Sequence, residues 1–216
     1  MKIFDAINKL KGNPAEIPDC SRNDLPQFFI DMGLKVGAEI GVDKGQFTEK
    51  FCKAGLAIYA IDPWGYYPGY EDSRGQTKLD QLHEHTKRIL TPYPNCRIIR
   101  KTSMEAADEF ADESLDFVYI DGNHEFKYVA DDISVWSKKI RKGGVISGHD
   151  YIYTNPSTQA GVCHVIFVVN AYTNAYKVKN WYLLGRKHKK HKDEKRDRFR
   201  SWMWIKDYSE PFYPVG

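Results

Sequence analysis

Apolar positions along this 216-residue chain alternate between two periods. Short, nearly continuous apolar runs over residues 35–40, 56–61 and 115–120 read as buried strands. Segments between them carry apolar residues three or four apart and read as amphipathic helices: 23–32, with Ser21 as a candidate cap, 46–54, 77–90 (ended by Pro92 and Pro94), 104–110 and 126–140. Two shorter strands are expected over 97–100 and, after the Gly143-Gly144 turn, over 145–147. This alternation predicts a parallel sheet covered by helices on both faces. A helix-like segment, 161–176, precedes two apolar-aromatic runs, 181–184 and 201–205, that suggest an antiparallel hairpin closing the sheet. Residues 63–76, with Trp64, Tyr66, Tyr67 and Tyr70, break the pattern and read either as an aromatic lid or as an ordinary surface loop.

The loop after the first of these strands is the most informative stretch. Glu39-Ile-Gly-Val-Asp-Lys-Gly45 leads from a strand into a helix. Gly41 permits a tight turn and close approach of a ligand, and the following helix points its free N–H groups at the same crevice. Glu39 places a carboxylate where a pyrophosphate would be repelled and a cationic ligand favoured. Asp62 ends the next strand, 21 residues after Gly41, where an acid can bind ribose hydroxyls. Together these features point from a dinucleotide toward S-adenosylmethionine.

A second constellation lies at later strand ends. Asp121 closes the strand 115–120, His124 follows in the turn, and His149-Asp150 closes the strand after Gly143-Gly144. Two carboxylates and two imidazoles in one crevice can bind a divalent ion and leave a base free. Asp131 and Asp132, inside the next helix, read as a solvated face or as packing rather than as ligand-contacting groups.

Composition narrows the class. Apolar residues at 42% and charged residues at 28% suit one globular α/β domain, read as residues 34–216 behind a helical N-terminal arm, 1–33. The net charge of +3 demands no polyanion, but residues 186–200 carry nine Lys/Arg against three Asp/Glu. That stretch, within a loop insertion over 185–200, reads by default as a solvated, mobile hairpin loop. The scattered Cys20, Cys52, Cys96 and Cys163, and the lack of an apolar leader or spanning run, suit a reduced cytoplasmic protein without a membrane partner.

The order E-x-G-x-x-x-G, I-D-P-W, Y-I-D-G-x-H and K-G-G-V-I-x-G-H-D-Y resembles the class I S-adenosylmethionine-dependent methyltransferases. It is most similar to the metal-dependent O-methyltransferases of macrolide sugars, the macrocin O-methyltransferase-like branch, with catechol O-methyltransferases more distant. The resemblance covers residues 34–172. It implies a Rossmann-like, doubly wound, mostly parallel seven-stranded sheet whose last strand is antiparallel. It also implies that Glu39, Gly41, Val42 and Gly45 surround the methionine part of the cofactor, and that Asp62 holds the ribose beside Trp64. Thr102 and Ser103 would then lie near the adenine, with Asp121 also in reach of the cofactor. Asp121, His149 and Asp150 match metal ligands and His124 matches the general base. His149 stands where the relatives favour oxygen, which suits Mn²⁺ better than Mg²⁺. The expected reaction is methyl transfer to a hydroxyl of a small molecule or sugar, with S-adenosylhomocysteine as product. An RNA or other nucleic-acid methyltransferase or binding protein is the alternative, using 186–200 for phosphate and Trp181, Tyr182, Trp202 and Trp204 for stacking. An NAD-dependent oxidoreductase is disfavoured, because Asp43 replaces the second glycine of its motif.

Overall fold

The computed structural model describes residues 2–67, 74–153 and 162–207. Part of the aromatic segment 63–76 and the start of the expected 161–176 helix lie outside them.

Eight strands form one sheet in the order β1-β7-β8-β6-β5-β2-β3-β4. The expected strands are present as β2 (Val36–Ile40), β3 (Ala57–Ile61), β4 (Cys96–Ile99), β5 (Leu115–Ile120), β6 (Ile140–Tyr151), β7 (Trp181–Leu184) and β8 (Arg200–Ile205). β8 inserts between β6 and β7 and runs antiparallel to both; every other neighbouring pair is parallel. The mostly parallel α/β sheet with its antiparallel hairpin is as the sequence implied. The eighth strand is a difference. β1 (Ala15–Ile17) comes from the arm expected to be helical and pairs with β7 at the sheet edge. Three residues carry no readable period, so only the exposed edge of β7 makes this segment a strand.

The helices divide between the two faces. α1 (Ile3–Lys9), α2 (Leu25–Asp31), α3 (Gln46–Lys53) and α4 (Gln76–Leu90) cover one, over a core that includes Phe28, Phe29, Phe51, Phe117 and Tyr119. α5 (Ser103–Ala107), α6 (Phe126–Lys139) and α7 (Val165–Ala175) cover the other, over Val118, Ile133, Trp136, Trp202 and Trp204. Successive residues of β5 feed opposite cores, as the two-residue period of a strand requires. Trp181, Tyr182, Trp202 and Trp204 are all buried, so the aromatics flanking the basic loop are core and not an open stacking surface.

Strand order reverses between β2 and β5, and their carboxyl ends form the crevice where ligands of such sheets collect. Gly41 turns the chain there at φ +85°, and a Cβ on it would stand 2.2 Å from the Asp121 carbonyl oxygen. The two loops therefore touch backbone to backbone. One turn further, Gly45 (φ +74°) starts α3. Just inside this edge, Glu39 is 2% exposed and accepts a 2.5 Å hydrogen bond from Thr48 of α3. Burial pushes its carboxyl up to about 8, against the pull of the Thr48 hydroxyl.

Two outcomes follow. Gly41→Ala combines a left-handed backbone with a collision, so urea unfolding should show a loss of about 2–5 kcal/mol. For Glu39, the folded chain keeps a proton between pH 4.5 and about 8 that the unfolded chain releases. Its contribution is thus full below pH 4.5 and is lost as pH rises toward 8. Glu39→Gln should gain stability over the parent progressively from pH 5 to pH 9, and parallel denaturation curves across that range would show the idea to be wrong.

Candidate functional site

A cavity of about 740 Å³ opens along the carboxyl ends of β2, β3, β4 and β5, within the range of small-molecule and cofactor sites. Gly41, Asp62, Trp64, Thr102, Ser103 and Asp121 line it. Glu39, Val42 and Gly45 do not. Glu39 turns inward to Thr48, Val42 is buried, and a Cβ at Gly45 would meet Thr86 and Leu90 of α4.

Asp62 is the organiser of the glycine loop. Its Oδ2 accepts from the backbone N–H of Val42 (2.9 Å) and Asp43 (3.0 Å), and its Oδ1 accepts from Trp64 N–H (2.8 Å). Burial raises its carboxyl and these three donors pull it down, with a net upward direction. A carboxylate has about four acceptor sites, so one remains for a ligand hydroxyl. Trp64, at φ +39°, is buried and donates from its indole N–H to the Asp43 carbonyl (2.9 Å), which packs its ring under the cavity floor. Thr102 caps α5 through a reciprocal box with Glu105. The Ser103 hydroxyl accepts from the Trp136 indole (2.7 Å).

The second constellation assembles at the ends of β5 and β6. Donor atoms of Asp121, His124 and Asp150 all lie within 4.8 Å of one another. His124 Nε2 stands 2.9 Å from Asp150 Oδ2 and 3.6 Å from Asp121 Oδ1. It is buried and makes no hydrogen bond of acceptable geometry. His149 Nδ1 lies 3.2 Å from Asp150 Oδ1 and 3.9 Å from Asp121 Oδ1. All four expected residues therefore share one site. His124, expected as a base, is the imidazole grouped with both carboxylates, whereas His149 flanks Asp150. Asp150 is aimed by strain: its φ is +56°, and the β6–β8 register shifts between Gly148 and Tyr151. Burial works against charge on His124, but Asp121 and Asp150 outweigh it and push the imidazole up to about 10. Asp150 is also opposed by burial, yet the two imidazoles beside it hold it well below the usual carboxylate range.

One feature had no part in the sequence reading, and two others carry more than it assigned them. Arg22, on the 3₁₀ turn before α2, reaches back so that its Nη1 pairs with Asp121 Oδ2 at 3.1 Å. Nothing local marked it, since a contact across 99 residues leaves no spacing signal. Asp132 is 4% exposed and lines the cavity, so of its two expected readings the structure excludes the solvated face and agrees with packing. It falls three residues after buried Val129 and four before buried Trp136, so helical period alone places it on the buried stripe. The third feature is the basic loop, which is exposed over 187–193, as expected, yet tied to the N-terminal arm through its later residues. Its Glu194 is buried and pairs with Arg186, Lys195 N–H donates to Asp19, and Asp197 accepts from Arg22 N–H at 2.7 Å.

Comparison with known proteins follows this geometry. Residues 38–151 match the family model described as a methyltransferase domain. An uncharacterized protein of Sinorhizobium fredii, y4gI, is 27% identical over 124 residues, which are 52% of this chain and 12% of that protein. The chain thus spans about an eighth of the length of this curated relative. Among solved structures, a putative caffeoyl-CoA O-methyltransferase from Staphylococcus aureus superposes with a TM-score of 0.58 at 15% identity, over 86% of this chain and 82% of that one. An O-methyltransferase from Bacillus cereus, in complex with S-adenosylhomocysteine, gives 0.58 at 11% identity over 86% and 80%. The O-methyltransferase TomG from Streptomyces achromogenes, involved in tomaymycin synthesis and in complex with S-adenosylmethionine, gives 0.57 at 12% over 86% and 79%. The chain belongs to the methyltransferase-domain family, built on the class I S-adenosylmethionine-dependent fold.

Proposed function

We propose that this chain is an S-adenosylmethionine-dependent O-methyltransferase acting on a hydroxyl of a small molecule or sugar, assisted by a divalent cation. The observation that carries the reading is the double membership of Asp121. It lines the cavity that holds Gly41, Asp62 and Ser103, and it belongs to the carboxylate–imidazole cluster with His124 and Asp150. A cofactor seated over the glycine loop and an acceptor held at the cluster would then be neighbours, which is what in-line methyl transfer requires. Burial of the aromatics flanking the basic loop removes the stacking surface on which a nucleic-acid alternative drew and disfavours it.

In this reading Asp62 keeps the glycine loop in register and offers its remaining acceptor site to the ribose. Trp64 closes the floor and excludes water beneath it. The donor set fits a divalent ion. Neighbouring ligand atoms on a six-coordinate ion at about 2.1 Å lie about 3 Å apart, close to the 2.9 Å between His124 Nε2 and Asp150 Oδ2. Asp121, His124 and Asp150 would hold the ion, with His149 orienting Asp150. Such an ion supplies Lewis-acid activation, lowering the pKa of a hydroxyl bound to it so that the proton is lost near neutral pH. One imidazole nitrogen cannot hold a cation and accept a proton at once. With Nε2 facing both carboxylates, we assign His124 to the cation in place of the base role expected from resemblance. Arg22 balances the Oδ2 of Asp121 from the other side and restrains its rotation.

Binding of S-adenosylhomocysteine should be measurable by calorimetry, and Asp62→Ala should weaken it at least about 10-fold by freeing the loop amides and removing the ribose acceptor. Tight NADH binding by a protein indifferent to S-adenosylhomocysteine would sink the cofactor reading. For the cluster, Mn²⁺ titration followed by electron paramagnetic resonance should show one site, weakened about 10–100-fold in His124→Ala with S-adenosylhomocysteine affinity unchanged. Unaltered Mn²⁺ affinity in that variant, alongside lost turnover on a hydroxyl acceptor, would return His124 to the role of base.

A further inference from the structure

We propose that Asp132 accepts a hydrogen bond from the 6-amino group of the cofactor's adenine ring and so selects adenine over 6-oxo purines. This rests on the S-adenosylmethionine reading above and extends it to a residue on α6.

The wall of the cavity beyond Asp62 is made by the segment after β4, the turn after β5 and one side of α6. Most polar groups there are already engaged. Arg100 bonds to Asp80 and the Trp64 carbonyl, Lys101 to Glu109, and Lys127 to Asp131. Thr102 is committed to its capping box. Asn123 donates to the Tyr67 hydroxyl and accepts from Glu125 N–H. Asp132 differs. Its carboxyl is bonded by the Ser103 hydroxyl and sits next to the Asp131 charge, while burial pushes it up to about 7. Its Oδ2 lies beside Gly122, where a Cβ would stand 3.6 Å away, and both residues line the cavity. A buried carboxylate served by one hydroxyl donor has capacity for more, and leaving it unmet is costly. An exocyclic amino group is a donor of the right kind. A 6-oxo group would instead set oxygen against oxygen.

The competing explanation is structural: Asp132, Ser103 and Trp136 form a chain that ties α5 to α6. The two separate cleanly by ligand. S-adenosylhomocysteine and its deaminated counterpart, S-inosylhomocysteine, are titrated calorimetrically at pH 8, where Asp132 is mostly ionised. The parent should prefer the adenine compound about 10–100-fold, as expected for one hydrogen bond to a charged group. Asp132→Asn should bind both compounds within about threefold of each other, because a carboxamide can turn either its oxygen or its amino group to the ring. Asp132→Ala should lose about 10-fold or more for the adenine compound alone. Thermal unfolding of each variant reports the α5–α6 tie independently. A parent that binds both compounds equally, or an Asn variant that keeps the parent's preference, overturns the role of Asp132 and leaves the cofactor reading standing. A parent that binds neither overturns both.

Discussion

The site depends on a contact that no side chain could occupy. Where β2 and β5 end side by side, the Cα of Gly41 lies against the carbonyl of Asp121, with 2.2 Å left for a Cβ that is not there. This approach sits where the strand order reverses, so the loops on either side diverge and leave a crevice. Asp62 then fixes the shape of one loop through three backbone amides. The strained Asp150 fixes the end of β6, with the backbone of His124 accepting from His164 N–H at 2.8 Å behind the turn. Rigid strands thus set positions to within a bond length, and short loops only aim the side chains.

Charge in the crevice is arranged as a balance. Asp121 faces Arg22 with one oxygen and the two imidazoles with the other, and Asp150 lies between His124 and His149. Buried carboxylates without such partners would take up protons, as Glu39 does behind them. A cluster that holds the buried Asp150 ionised is suited to receive a cation. The same electrostatics favour the protonated form of His124, because a proton placed between two carboxylates is held tightly.

The N-terminal arm and the basic loop belong to one supporting structure. β1 extends the sheet beyond β7, Glu16 takes the Arg200 guanidinium, and Asp19 takes Lys195 N–H. Through Asp197, the loop holds the backbone of Arg22, whose side chain touches Asp121. A charged loop that is exposed over 187–193 is thereby linked through Arg22 to Asp121.

What the sequence determined by itself follows from short-range physics. Nearly continuous apolar runs located β2, β3 and β5, and the 3.6-residue period the helices between them, because burial on both faces of a strand or on one stripe of a helix is written locally. Gly41, Asp62, Asp121 and Asp150 could be placed at the carboxyl ends of strands for the same reason, as could the antiparallel hairpin that β7 and β8 form. What only the tertiary structure decided are the relations between distant segments. β1 is a strand because β7 offers it an edge, Arg22 reaches Asp121 across 99 residues, and Asp132 on α6 lines the same cavity as Asp62. The placing of His124 and His149 is of the same kind: only the folded chain brings His124 Nε2 to 2.9 Å and His149 Nδ1 to 3.2 Å from the carboxyl of Asp150.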